Sequence, residues 1–175
     1  EATGRFLAEG LKFIGEALDQ DRAPKLLLVG EDARPHPLLE RARGATRAAG
    51  GEVVVVTHAI LEKISRRDNP QTVLGVFEQV YTPLASIMPE SARCWVALEQ
   101  VRDPGNLGTI IRTADAAGCG GVVLIGDCVD PYSVEAVRAT MGSVFAVAIA
   151  RASAAEFLAW RQGWPGSVIG TRLDA

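Results

Sequence analysis

The sequence predicts an α/β protein with a largely parallel sheet, and three features carry that expectation. Apolar runs of strand length alternate with helix-length stretches almost from one end to the other. Runs such as "KLLLVG", "EVVVVT" and "GVVLIG" are continuous in Val, Leu and Ile rather than alternating, as strands covered on both faces require. With 175 residues, 48% of them hydrophobic and 22% charged, the chain can bury a substantial core under an ordinary soluble surface.

In order, "FLAEG" reads as a short strand and "GLKFIGEALDQ" as a helix, followed by "KLLLVG" as a strand. The helix "HPLLERARGATRAAG" begins at His36-Pro37, where proline suits the first turn. Then come "EVVVVT" (strand), "AILEKIS" (helix) and "TVLGVFEQ" (strand). Two prolines and small polar residues in "VYTPLASIMPESAR" break the rhythm and mark a boundary near residues 80 to 92. The alternation resumes with "CWVALEQV" (strand), "NLGTIIRTADAAG" (helix), "GVVLIG" (strand) and "SVEAVRATMG" (helix). It finishes with "VFAVAIA" (strand), "SAAEFLAWRQG" (helix) and "SVIGTRL" (strand), with no internal repeat and no low-complexity segment.

A net charge of −3 gives no global basic field. Charge is uneven, however. Arg34, Arg41, Arg43 and Arg47, with His36 among them, are opposed only by Glu40, and a second knot lies at Lys63, Arg66 and Arg67. From charge alone these are either a solvated helix face or a patch for phosphates. Cys94, Cys119 and Cys128 show no metal-ligand spacing, so they read as reduced, mostly buried thiols of a cytoplasmic protein, and no metal site is expected. No run approaches the ~20 apolar residues of a membrane span, and no signal-peptide pattern opens the sequence.

The most informative stretch is "DPGNLGTIIRTADAAG", residues 103–118. A loop leaves the strand at 94–101, Asn106 is a candidate N-cap, and Gly105 and Gly108 allow close approach of backbone or ligand. Ile110, Ile111, Ala114 and Ala117 supply the packing face. Arg112 lies off that face, beyond a strand's C-terminal end, where open α/β sheets place their ligands. It either pairs with Asp115 at i,i+3 or serves a site. A nicotinamide site is disfavoured, because the glycines are spaced Gly105-x-x-Gly108 and no acidic residue closes the next strand at Gly126.

Asn106, Gly108, Arg112 and Ala114 together spell Asn-x-Gly-x-x-x-Arg-x-Ala, between "DPGN" and "AAGCGGVVLIG" and ahead of "DPYSVEAVRATMGSVFAV". In this, residues 94–145 resemble the SpoU (TrmH-like) RNA ribose 2′-O-methyltransferases of the α/β-knot (SPOUT) fold. "GRFLAEGLKFIGEAL" and "DNPQTVLGVF" are similar to the L30e-like substrate-binding domain that precedes the catalytic domain in many of these enzymes. The resemblance implies an L30e-like α/β domain over 1–80, a linker over 81–92 and a SPOUT methyltransferase domain over 93–175, with the C-terminal knot region absent from this chain. It also raises the weight of Arg34, Arg41, Arg43 and Arg47 as an RNA-contacting surface.

The reaction so implied moves a methyl group from S-adenosylmethionine to a ribose 2′-hydroxyl, and Arg112 occupies the family's catalytic arginine position. Arg is too weak a base to take the proton at ordinary pH. A guanidinium fork gripping phosphate and ribose, orienting the 2′-oxygen and stabilising its developing charge, is the more physical role, and phosphate-assisted proton removal stays open beside it. Asn106 would tie the loop to substrate or to Arg112, or be only a cap; Glu99 reads as structural. The family's later motifs, a Gly-rich loop with Glu and a Ser-x-Asn segment, are not found downstream of Arg112. Cofactor-binding residues are therefore expected beyond Ala175. Ribosomal RNA of the large subunit is the expected substrate ahead of transfer RNA, and a homodimer the expected assembly. The rival reading is a non-catalytic RNA-binding protein on a degenerate methyltransferase fold.

Overall fold

In a computed structural model of the chain, which describes residues 4–88 and 94–171, two sheets are laid down one after the other. The first comes from β1 (Arg5–Glu9), α1 (Leu11–Asp19), β2 (Leu26–Gly30), α2 (Pro37–Ala48), β3 (Glu52–Val56), α3 (His58–Ser65) and β4 (Val73–Glu78). A short 3-10 turn at Leu84–Ser86 leads to the second, built from β5 (Val96–Glu99), α4 (Pro104–Ala116), β6 (Gly121–Ile125), α5 (Val134–Thr140), a 3-10 turn at Ser143–Phe145, β7 (Ala148–Ala152) and α6 (Ala154–Arg161).

The second sheet is parallel throughout, in the order β5-β6-β7. The first is mixed, which departs from the largely parallel expectation. Its order is β1-β4-β2-β3, and β4 runs antiparallel to both neighbours while β2 and β3 are parallel. The reason is where the chain enters β4. Gly30 N–H donates to Thr72 O at 2.7 Å and Gly10 N–H to Val73 O at 2.8 Å, so β4 starts at the sheet end where β1 and β2 finish, and must run back. Periodicity reports which faces are covered, not which way a strand points.

Three other expectations are corrected. "EVVVV" is an edge strand, not one covered on both faces; Val54 and Val55 are 38% and 60% exposed. The strand expected at "VFAVAIA" begins four residues later, at Ala148, because Val144 and Phe145 turn into the core after Gly142, whose φ is +109°. Residues 167–171 of the expected last strand form no strand, and 172–173 lie outside the described residues.

β6 shows what a doubly covered strand looks like. Val122 and Leu124 face α4 and α5 and the first half, whereas Val123 and Ile125 face Ile87, Phe157 and Trp160 on the far side. Each such fully buried side chain contributes about 1.5–3 kcal/mol. The core between the sheets is continuous across both halves. Phe6 packs its ring against Phe77, Tyr132 and Phe145, at centroid separations of 5.7, 4.7 and 5.7 Å. Burial pushes the Tyr132 phenol up in pKa, and its hydroxyl donates to Val80 O at 2.6 Å and accepts from Val80 N–H at 3.1 Å.

A buried ion pair joins the same two halves. Glu9, at the end of β1, has a side chain only 4% exposed, and Arg138 of α5 meets it with two donors, Nη2 to Oε1 at 2.6 Å and Nε to Oε2 at 3.3 Å. Arg138 also donates to Ser65 O at 3.1 Å, and Arg67 stands 3.9 Å from Glu9. A carboxylate buried this deeply is tolerated because it is paired and hydrogen-bonded.

Candidate functional site

The helix that carries Asn106 and Arg112 starts two residues before Asn106. Asp103 is the N-cap, its Oδ1 accepting from Asn106 N–H at 2.6 Å, and Pro104 takes the first helical position. Asn106 is therefore in the first turn rather than capping it, a correction with a clear cause. Asp and Asn cap equally well, but proline has no N–H to satisfy and a φ already set for the first turn, so it draws the cap to the residue before it. The Asn106 side chain is exposed and makes no hydrogen bond among the described residues.

The buried face of α4 is Leu107, Gly108, Ile111 and Ala114. Ile110 is only partly covered and Ala117 is exposed, so the packing stripe is rotated from the expected one. Gly108 explains the rotation. A Cβ there would fall on the carbonyl oxygen of Ala136 and the Cβ of Ala139, so α4 and α5 are in backbone contact at this point. The glycine of the motif is thus a packing residue, whereas Gly105 would meet only Asp103 Oδ1 at 3.3 Å. Arg112 follows Gly108 by one turn and lies at the rim of this stripe, outside Leu107, Ile111 and Ala114. It is exposed and has no ion pair or hydrogen bond among the described residues, so the pairing with Asp115 does not form.

Two features beside α4 escaped sequence reasoning. Gln100 has φ +54°, left-handed for a non-glycine residue, which costs on the order of 1–2 kcal/mol. It occupies the turn between β5 and the motif, and its N–H donates to Ile125 O at 3.2 Å. Arg102 then pairs with Asp127 at 2.6 Å, and Val129 N–H donates to Val101 O at 2.8 Å, tying the loop after β5 to the loop after β6. Nothing in the residue types at Gln100 signals that conformation.

The α2 arginines are not equivalent. Arg41 reaches Asp19 of α1 at 2.7 Å, and Arg43 lies 3.7 Å from Glu40 with its Nε buried and without a hydrogen-bond partner. Arg34 and Arg47 are exposed and unpaired among the described residues. His36 caps α2, its Nδ1 accepting from Leu38 N–H at 3.1 Å. Among the described residues no hydrogen bond or ion pair joins these arginines to Arg112; α1 packs against α2, and its Glu16 borders a cavity of about 160 Å³ with Asp115 of α4. The second basic knot is also divided, Arg67 going to Glu9 while Arg66 borders a cleft of about 480 Å³ between the halves, with Arg5, Gln79, Tyr132 and Arg138.

A further pocket of about 320 Å³, at the C-terminal ends of β6 and β7, is lined by Gln79, Tyr81, Cys128, Asp130 and Arg151. Burial first, then the charges of Asp130 and Tyr132, hold the Tyr81 phenol at about 12 against the pull of Arg151, so it stays protonated at neutral pH. Neither this pocket nor the cleft is lined by Asn106 or Arg112, which stand on an open helix face. The residues present do not by themselves enclose a nucleoside cofactor beside Arg112. Among the described residues no cluster of three or more His, Cys, Asp or Glu side chains is arranged to hold a metal, and no helix is long and apolar enough to cross a membrane. The thiols are less buried than their expected role requires: Cys94 is exposed and Cys119 half-buried, and only Cys128 is in the core.

Comparison with known proteins agrees with the motif. Residues 93–175 match the SpoU rRNA Methylase family and residues 1–75 the MRM3-like substrate binding domain. The chain is 30% identical over 172 residues to the Bacillus subtilis 23S rRNA (guanosine(2553)-2'-O)-methyltransferase RlmP, covering 98% of this chain and 64% of that protein. It is 32% identical to human mitochondrial rRNA methyltransferase 3, over 85% of this chain and 35% of the relative. The crystal structure of an AdoMet-bound rRNA methyltransferase from Sinorhizobium meliloti superposes with a TM-score of 0.86 at 50% identity, covering 93% of this chain and 60% of that one. The chain thus spans less than two thirds of the length of each of these relatives. Both halves find their counterparts in the same order within single proteins of one group, and the chain belongs to the SpoU rRNA methylase family, with an MRM3-like substrate-binding half ahead of the methylase half.

Proposed function

We propose that this chain is the substrate-binding half and the first part of the catalytic half of an S-adenosylmethionine-dependent methyltransferase, acting on a ribose 2′-hydroxyl of large-subunit ribosomal RNA. The observation that carries the reading is Arg112 itself, an exposed guanidinium without a partner among the described residues, with Asn106 exposed less than two turns earlier on the same helix. Long helical side chains lean toward the helix N-terminus, so Arg112 reaches toward the end where Asn106 stands. A free fork there can take a phosphate oxygen and a sugar oxygen together, fixing the 2′-oxygen and stabilising the charge that grows on it.

S-adenosylmethionine supplies the electrophilic methyl group, and no residue of this chain is assigned to holding it. The relatives named as 23S rRNA 2'-O-methyltransferases support ribosomal over transfer RNA, and the AdoMet-bound relative supports the donor. In this reading residues 1–80 contact RNA through Arg34, Arg41, Arg43 and Arg47, residues 81–92 link the halves, and the enzyme is a cytoplasmic homodimer.

Arg112→Ala in the full-length protein is expected to lower methyl transfer at least ~100-fold, the scale of losing one charge-stabilising donor, with the melting temperature unchanged. Turnover near the wild-type rate would sink the role of Arg112. If the unaltered full-length protein binds ribosomal RNA but transfers no methyl group, the degenerate RNA-binding reading replaces this one. Charge reversal at the unpaired Arg34 and Arg47 is expected to weaken RNA binding and to reduce its salt slope by about two. An unchanged slope would return α2 to a solvated face.

A further inference from the structure

The two thiols nearest the motif helix are side by side. Cys94 Sγ and Cys119 Sγ are 2.9 Å apart, and the sheet itself places them. β5 and β6 pair in parallel with Val96 opposite Val122, and Gly120 N–H donates to Cys94 O at 2.9 Å, carrying the pairing back to the residue next to Cys119. Cys119 is anchored from the other side by its N–H bond to Ala114 O at 2.9 Å, at the end of α4. Each thiol therefore sits just outside a strand, beside a backbone hydrogen bond that continues the β5–β6 pairing or closes α4.

We propose that Cys94 and Cys119 are an oxidisable dithiol, a modification site that a hydroperoxide closes to a disulfide. The roles follow from exposure. Cys94 faces solvent and is the sulfur an oxidant can reach, while Cys119 is half-buried behind it. The hydrogen bond it donates to Cys94 first, and burial second, push the Cys119 thiol up to about 11, so it keeps its proton until the second step. Cys128 stands apart: it is buried, its thiol lying 3.4 Å from Ile125 O and 3.5 Å from Leu98 O as donor.

In the first step the Cys94 thiolate attacks one peroxide oxygen, the O–O bond breaks, and water leaves a sulfenic acid on Cys94. In the second the Cys119 sulfur attacks the Cys94 sulfur, the S–O bond breaks, and the hydroxyl leaves as water with the remaining thiol proton. Two electrons pass from the two thiols to the peroxide, and both thiol protons end in water. The bond closes a ring across a separation of 25 residues, enclosing β5, the motif loop and α4, and restricts that unit in the unfolded chain.

The test is titration of the reduced chain with hydrogen peroxide, followed by thiol counting in denaturant, intact mass and thermal melting. The expected result is a fall from three free thiols to one, a monomer lighter by about two hydrogens, and a melting temperature higher by roughly 5–10 °C. Cys128→Ser is expected to show the same melting shift, and Cys94→Ser none. Three persisting thiols, a gain of oxygen mass without loss of two hydrogens, or a bond between two molecules would each overturn the proposal. So would loss of two thiols in Cys94→Ser, which would assign the pairing to Cys119 and Cys128.

Discussion

The two sheets of this molecule solve the same problem differently. The second is parallel and small, and its middle strand β6 is buried along its whole length, α4 and α5 on one face and α6 with Ile87 on the other. The first is mixed, inserts β4 between β1 and β2, and leaves β3 at an edge with Val54 and Val55 toward solvent. Strand composition alone does not separate "EVVVV" from "GVVLI" as a central strand, yet position in the sheet does. Burial is decided by what packs on a strand. The two halves also present arginine differently: α2 of the first ties Arg41 and Arg43 to carboxylates and leaves Arg47 unpaired, whereas the one arginine of α4, Arg112, is unengaged among the described residues.

Against that contrast stands the shared core, and three substitutions probe it from the largest effect down. Phe6→Ala removes the ring that touches Phe77 of its own sheet and Tyr132 and Phe145 of the other half. A loss of about 3–5 kcal/mol is expected, with a single unfolding transition in calorimetry that moves as one. Two separated transitions would mean the halves fold independently and the common core is only a contact.

Gly108→Val drives a branched side chain into the α4–α5 seam at Ala136 and Ala139. The expected cost is about 3 kcal/mol, felt by the second sheet and, through α5, by the first. Denaturant midpoints unchanged from the native protein would show that the helices can part there at no cost. Glu9→Gln leaves Arg138 and Arg67 without their carboxylate. Because both arginines are partly solvated, the expected loss is about 2 kcal/mol rather than the full value for a buried pair. A loss under half of that, measured by urea unfolding, would reduce the bridge between the halves to its aromatic part.

Much of this was legible in the residues. The alternation of strands and helices holds for thirteen of the fourteen expected elements in kind, and the Asn-x-Gly-x-x-x-Arg-x-Ala spacing marked the helix that carries Asn106 and Arg112. What failed did so for identifiable reasons. Asp103 took the cap from Asn106 because Pro104 follows it. The apolar stripe of α4 turned to Leu107 because Gly108, which counts for nothing in a hydrophobic pattern, is where another helix comes closest. "VFAVAIA" split because Val144 and Phe145 fill the space between sheets instead of extending one.

The sequence by itself determined the order of elements, the motif, and which residue types could do the chemistry, since these depend on local propensity and spacing. Only the tertiary structure decided the direction of β4, the exposure of Arg112, the pairing of Arg41 and Arg43, the burial of Glu9 beneath Arg138 and the meeting of Cys94 with Cys119. Apart from Arg43, whose partner Glu40 lies one turn away, these join or separate groups distant along the chain, and sequence spacing carries no information about which distant faces will be pressed together when the core closes.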